Sequence, residues 1–100
     1  MIARRWHGRV PAAKSARYLH LMLSVALTDY KSTPGNLDAF CFERVEGDVV
    51  HFEMLTFWES IAAIKRFAGE EYEAAKYYDF DDEYLLEKEP CVQHFTVWEE

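Results

Sequence analysis

"VVHFEMLTFWESIAAIKRFAG" (residues 49–69) changes its period half-way along. Up to Phe57 it is dense in β-branched and aromatic residues, which suits a pleated, buried strand. From Glu59 or Ser60 it turns helical, with a capping residue at the start and Gly69 at the position that closes a helix. Trp58 stands on the junction. It either floors a binding cleft or packs the corner where a helix folds back onto a sheet.

Working outward, Leu37 to Val45 is a second strand-like run, separated from Val49 by "EGD" (46–48). Gly47 can take a positive φ there, so the two runs form a hairpin. "STPGN" (32–36) is turn chemistry and ends the segment before it. That segment, Ala12 to about Tyr30, has no Gly or Pro. Its apolar residues, among them Leu19, Met22, Leu23, Ala26, Leu27 and Tyr30, recur at three and four, as on a helix face. Ile2 to Val10 has strand length and stops at Pro11, which cannot continue a ladder but suits a first helical turn.

Downstream, "EEYEAAKYY" (70–78) reads as a short helix, with glutamates in its first turn and Lys76 near its end. "DFDDEYLLEKE" (79–89) reads as an acidic turn and helix that Pro90 ends, and Cys91 to Trp98 is the last strand. The order β-α-β-β-α-β predicts an α+β, ferredoxin-like domain spanning residues 1–100, a four-stranded antiparallel sheet with helices on one face. Several strands are apolar at both parities: Val49, Leu55 and Phe57 against Val50, Phe52, Met54 and Trp58. Helices cover one face only, so the second face predicts a homodimer packed sheet against sheet.

Composition supports that expectation. Half of the 100 residues are hydrophobic and 16% are aromatic, an amount a small domain often shares with a second subunit. The net charge of −7 argues against a nucleic-acid partner, since neutralising phosphates calls for the opposite sign. Arg4, Arg5, Arg9, Lys14 and Arg17 crowd the first seventeen residues, and carboxylates dominate 70–100. Two readings stand: complementarity within or between chains, or an anion-binding site. No apolar run approaches the ~20 residues needed to cross a bilayer, and no signal segment opens the chain, so a cytoplasmic protein without membrane contact is expected. Cys41 and Cys91 have no metal-ligand spacing, and a reducing compartment would leave them unpaired.

Chemistry-bearing motifs are sparse. Counted from Asp79, the sixth residue is Tyr84 and the twelfth Pro90, which excludes an EF-hand. His7, His20, His51 and His94 form no zinc motif. His7 and His94 lie in neighbouring strands. Each is either a satisfied core histidine or a proton acceptor over a cleft. There is no nucleophile elbow, P-loop or dinucleotide fingerprint. Trp6, Trp58, Phe67, Tyr72, Tyr77 and Tyr78 either pack the helices or line a flat pocket for a planar ligand.

"ARRWHGRVPAAKSARYL" (3–19), "STPGN", "FWESIAAIKRFAGEEYEAAKYY" (57–78) and "VQHFTV" (92–97) together resemble the antibiotic biosynthesis monooxygenase superfamily of dimeric α+β barrel proteins, in particular its small stand-alone bacterial members. The most specific element is the W-x-S helix start followed by FAG and the paired tyrosines. The resemblance implies a ferredoxin-like protomer whose sheet packs on that of a second subunit. It also implies an oxygenase that binds a planar aromatic or quinol-like molecule, deprotonates it and exposes the anion to O2 without a cofactor. On that template Trp58 flanks the ligand, His7 or His94 serves as base or anion donor, Arg4 stabilises the anion, and Tyr77 or Tyr78 donates a phenolic hydrogen bond. The same resemblance allows a non-catalytic, ligand-binding or stress-associated dimer. The heme-degrading branch uses an asparagine in the first strand and a histidine after the tryptophan helix. Residues 2–10 hold no Asn, and Lys76 and Tyr77 stand where that histidine would fall, so the expectation is that heme has no part.

Overall fold

Several element boundaries fall at residues that punctuate the chain by their own chemistry. The computed structural model describes residues 1–99. Strand β1 (Ile2–Pro11) stops at its proline, and the chain enters a 3-10 turn (Ala12–Lys14). Helix α1 (Ser15–Leu21), a π-helical segment (Met22–Ala26) and helix α2 (Leu27–Ser32) then run as one rod, with helical dihedrals across every junction. Strands β2 (Asn36–Glu46) and β3 (Val49–Trp58) form the hairpin, turning at Gly47 with φ +61°. Helix α3 (Ile61–Ala68) begins where Ser60 Oγ accepts from the Ala63 N–H at 3.2 Å. It ends at Gly69, whose φ of +86° few other residues tolerate. A single helical turn, α4 (Asp81–Tyr84), and strand β4 (Gln93–Thr96) complete the order.

The four strands lie in the order β2-β3-β1-β4, all antiparallel. This is the α+β, ferredoxin-like arrangement that the hydrophobic periods predicted. Among the described residues no helix is long and apolar enough to cross a membrane.

Two downstream expectations need correction. Residues 70–78 are not a helix, and of 79–89 only Asp81–Tyr84 is helical. Backbone pairing took the place of the helix: Ala74 bridges Cys91, Ala75 N–H donates to Pro90 O at 2.9 Å, and Val92 N–H donates to Glu73 O at 2.9 Å. Tertiary partners override a modest helix propensity in so short a stretch. The last strand is correspondingly shorter than Cys91 to Trp98.

Register assigns the two sheet faces. Arg4, Trp6, Gly8 and Val10 stand opposite Thr56, Met54, Phe52 and Val50, and all eight are buried under the helices. The core continues through Tyr18, Met22, Ala26, Tyr30, Ile64 and Phe67. On the other face Phe40, Phe42 and Phe95 are exposed, and Leu55 and Phe57 half-buried. The basic first strand meets the acidic segment within the chain: Arg9 pairs with Glu87, and the Lys14 ammonium donates to Glu83 O at 2.8 Å. Both cysteines are free thiols.

Candidate functional site

Trp58 closes β3, and its indole is wholly buried. Tyr30 and Phe67 lie against it, with ring centroids 6.5 and 5.8 Å away. Its Nε1–H donates to Thr56 Oγ1 at 2.8 Å, on the same face two residues earlier. Thr56 stands opposite Arg4, and Arg4 opposite His94. Trp58, Thr56, Arg4 and His94 thus form one patch on the helix-covered face, drawn from three strands.

Arg4 is 1% exposed. Its Nη2 donates to Ala74 O at 3.3 Å, and its guanidinium carbon is 5.4 Å from the Phe67 ring centre. Burial, only partly offset by the Tyr30 hydroxyl and Tyr78, lowers its pKa from the usual arginine value. His94 packs edge-on to Tyr72, at 5.2 Å. Burial, and then the nearby Arg4 charge, hold its pKa below 6.5, so the imidazole is neutral at physiological pH. Among the described residues three buried side-chain nitrogens have no hydrogen-bond partner: Arg4 Nε, Trp6 Nε1 and His94 Nε2. Buried donors and acceptors are nearly always satisfied, so three orphans on one face are unusual.

A network of tyrosines and carboxylates borders this patch. Tyr18 donates to Asp81 Oδ1 at 2.7 Å, and the Tyr78 backbone N–H donates to Asp81 Oδ2 at 2.7 Å. Asp29 accepts from Tyr78 at 2.6 Å and from Lys76 at 3.0 Å. Burial raises the pKa of Tyr18, Tyr30, Tyr77 and Tyr78, taking Tyr30 and Tyr77 to about 12, so all four are hydroxyl donors rather than phenolates. Between the network and the sheet lies a cavity of about 10 Å³, lined by Trp6, Met22, Tyr30, Lys76, Tyr78 and Asp81 among others. It has room for one water. Met22 and Ala26 reach it from the π-helical segment, a distortion often found at functional sites.

Of the other two sequence candidates, His7 sits apart from this patch and Tyr77 belongs to the segment that lies over it. His7 lies on the open sheet face, with Nδ1 on Glu89 and Nε2 2.9 Å from His51 Nδ1; His51 in turn bonds Glu46 at 2.8 Å. Tyr77 packs edge-on against Trp6, and its hydroxyl donates to Glu89 O. Sequence reasoning did not single out Thr56, Tyr30, Asp29 or Asp81. Thr56 was open to it, since a polar residue at period two from Trp58 must share its face.

No family profile matches the chain, and no curated protein matches it in sequence. Solved structures do. An arginine-to-serine variant of MhuD "with two Manganese protoporphyrin IX bound per active site" superposes with a TM-score of 0.62 at 15% identity, over 100% of this chain and 97% of that one. Rv0793 from Mycobacterium tuberculosis gives 0.60 at 15%, over 100% and 98%. The heme-degrader MhuD (Rv3592) from Mycobacterium tuberculosis, with two hemes bound in its active site, gives 0.61 at 16%, over 100% and 98%.

The chain has the fold of MhuD. MhuD also corrects the expectation that no cofactor is involved and heme is excluded, because porphyrins occupy the active site in two of the three structures. That expectation rested on two motif positions, and a fold can supply donors from others. Here the donor chemistry fits such a ligand: a neutral imidazole nitrogen without a partner, a buried guanidinium and an aromatic wall. Space is the missing element. Porphyrin-sized molecules need pockets of several hundred Å³, and segment 69–92 lies over the patch through Ala74, Lys76, Tyr77 and Tyr78.

Proposed function

We propose that this chain is a monooxygenase of the antibiotic biosynthesis type that takes a planar, oxidisable ligand of heme type between its sheet and helices. The observation that carries the reading is the set of three orphaned buried nitrogens, on Arg4, Trp6 and His94, on the sheet face that also carries Trp58. Segment 69–92 moves aside to admit the ligand. It is anchored by the tyrosine–carboxylate bonds and a few backbone hydrogen bonds rather than by long regular structure.

An iron tetrapyrrole supplies its own dioxygen chemistry when bound; the chain supplies binding, orientation and exclusion of water. His94 Nε2 is the nitrogen that would hold the iron, since only a neutral imidazole can ligate. Trp58 and Phe67 would wall the ring, and Tyr30 would offer a hydroxyl proton nearby. The functional unit is a homodimer, in which the exposed Phe40, Phe42 and Phe95 pack against a second copy.

Oxygen uptake with reductant, measured across hemin, hydroquinones and anthrones, tests the reading. Uptake with at least one of them is expected, and none with any of them overturns turnover. One observation favours a second reading, a ligand-binding dimer without catalysis: the Trp58 N–H is already satisfied inside the chain. A Trp58→Phe variant that loses oxygen uptake at unchanged affinity supports catalysis. One that loses affinity alone supports binding.

A further inference from the structure

Four arginines lie in the sheet, and three have a carboxylate. Arg5 pairs with Glu53 at 2.7 Å, Arg9 with Glu87, and Arg44 with Glu46 at 3.6 Å. Arg4 is the most deeply buried of them, and among the described residues it takes part in no ion pair. The neighbours that contact or face it are neutral: a backbone carbonyl, the Phe67 ring, the Tyr30 hydroxyl and the imidazole of His94. Lys76, 4.1 Å from the centre of the same Phe67 ring, already has Asp29.

An uncompensated buried cation is among the most costly features a core can hold. Arg4 could not escape by losing its proton, because a guanidinium stays charged even with a lowered pKa. Folding gains nothing from placing it there, whereas a ligand that arrives with a negative charge does. The free Nε is half of the side-on edge with which arginine grips a carboxylate in two parallel bonds.

We infer that Arg4 is the docking point for a carboxylate on the planar ligand, so that the site selects anionic ligands over neutral analogues of the same shape. The inference rests on the ligand site proposed above and adds the charge of what enters it.

Protoporphyrin IX, which carries two carboxylates, and its dimethyl ester, which carries none, are the probes. Fluorescence titrations in one buffer should show the diacid binding at least tenfold tighter to the native chain, and Arg4→Met should remove most of that preference. Ligand-free Arg4→Met should melt at the same temperature as the native chain or higher, because it deletes an unpaired buried charge. Equal affinity of the native chain for both probes overturns the inference and leaves the functional reading standing. A folded Arg4→Met that keeps the preference, or one that melts well below the native chain, overturns it as well. Binding of neither probe contradicts the functional reading and this inference together. If Arg4→Met does not fold, Arg4→Lys, which keeps the charge but not the two-pronged edge, must weaken the diacid selectively.

Discussion

The Trp58 indole nitrogen and Thr56 Oγ1 lie 2.8 Å apart, both wholly buried at the end of β3. The bond ties the strand–helix corner together from inside one strand. Thr56→Val keeps the shape and strands a buried N–H, so it should cost about 1–3 kcal/mol in chemical denaturation. Trp58→Ala removes the ring as well and should cost about 3–5 kcal/mol. A neutral Thr56→Val would mean that the indole finds another acceptor.

The pH dependence of stability should show Asp29 and Asp81 acting in opposite directions. Burial works to raise Asp29, but the hydrogen bonds from Tyr78 and Lys76 outweigh it, and its pKa is lowered overall. A lowered carboxylate stabilises the fold above its unfolded value of 3.8 and loses that contribution as pH falls through the folded one. The melting-temperature gap between the native chain and Asp29→Asn should therefore narrow as pH drops from about 6 toward 3. Burial raises Asp81 despite the bonds from Tyr18 and Tyr78. Its contribution is present below the unfolded value and is lost as pH rises through the folded one. Asp81→Asn turns an acceptor toward the Tyr78 N–H into a donor, at about 1–3 kcal/mol.

Gly35 and Gly47 both have positive φ, +94° and +61°, but differ in surroundings. A Cβ on Gly35 would stand 2.4 Å from Ala63 Cβ, where α3 packs on the turn; one on Gly47 would meet nothing. Gly35→Ala should cost about 2–4 kcal/mol, from conformational strain and overpacking together. Gly47→Ala should cost about 1 kcal/mol. Thermal melts of the two variants should separate by several degrees, and a reversed order would contradict the packing of α3 on that turn.

Phe40, Phe42 and Phe95 give the open face its apolar character. Phe40→Glu should shift sedimentation equilibrium from dimer to monomer at micromolar concentration, with the fold intact by circular dichroism. A native chain that sediments as an 11.8 kDa monomer refutes the dimer.

Much of the fold was legible because the deciding signals are local. Pro11, Gly47, Ser60 and Gly69 mark boundaries by their own chemistry, and a two-residue period assigns side chains to faces. Segment 70–89 was not legible in the same way. Its acidic turns and tyrosines suit a helix locally, but Asp29 and Arg9, distant in sequence, hold its side chains and backbone, and Pro90 folds back onto Ala75. The patch was half legible. Trp58 was named from the motif and Arg4 and His94 from their positions on the family template, yet parity alone could not say which face the helices cover, and so could not separate His94 from His7. Thr56 and the orphaned nitrogens emerge only once strand register and burial are known.

Titration of the purified chain with hemin, followed by ascorbate and oxygen, tests the central claim most directly. A saturable shift of the Soret band and a raised melting temperature are expected, then decay of that band at a rate that Trp58→Phe and His94→Ala both reduce. A chain whose melting temperature and hemin spectrum stay unchanged across the titration contradicts it.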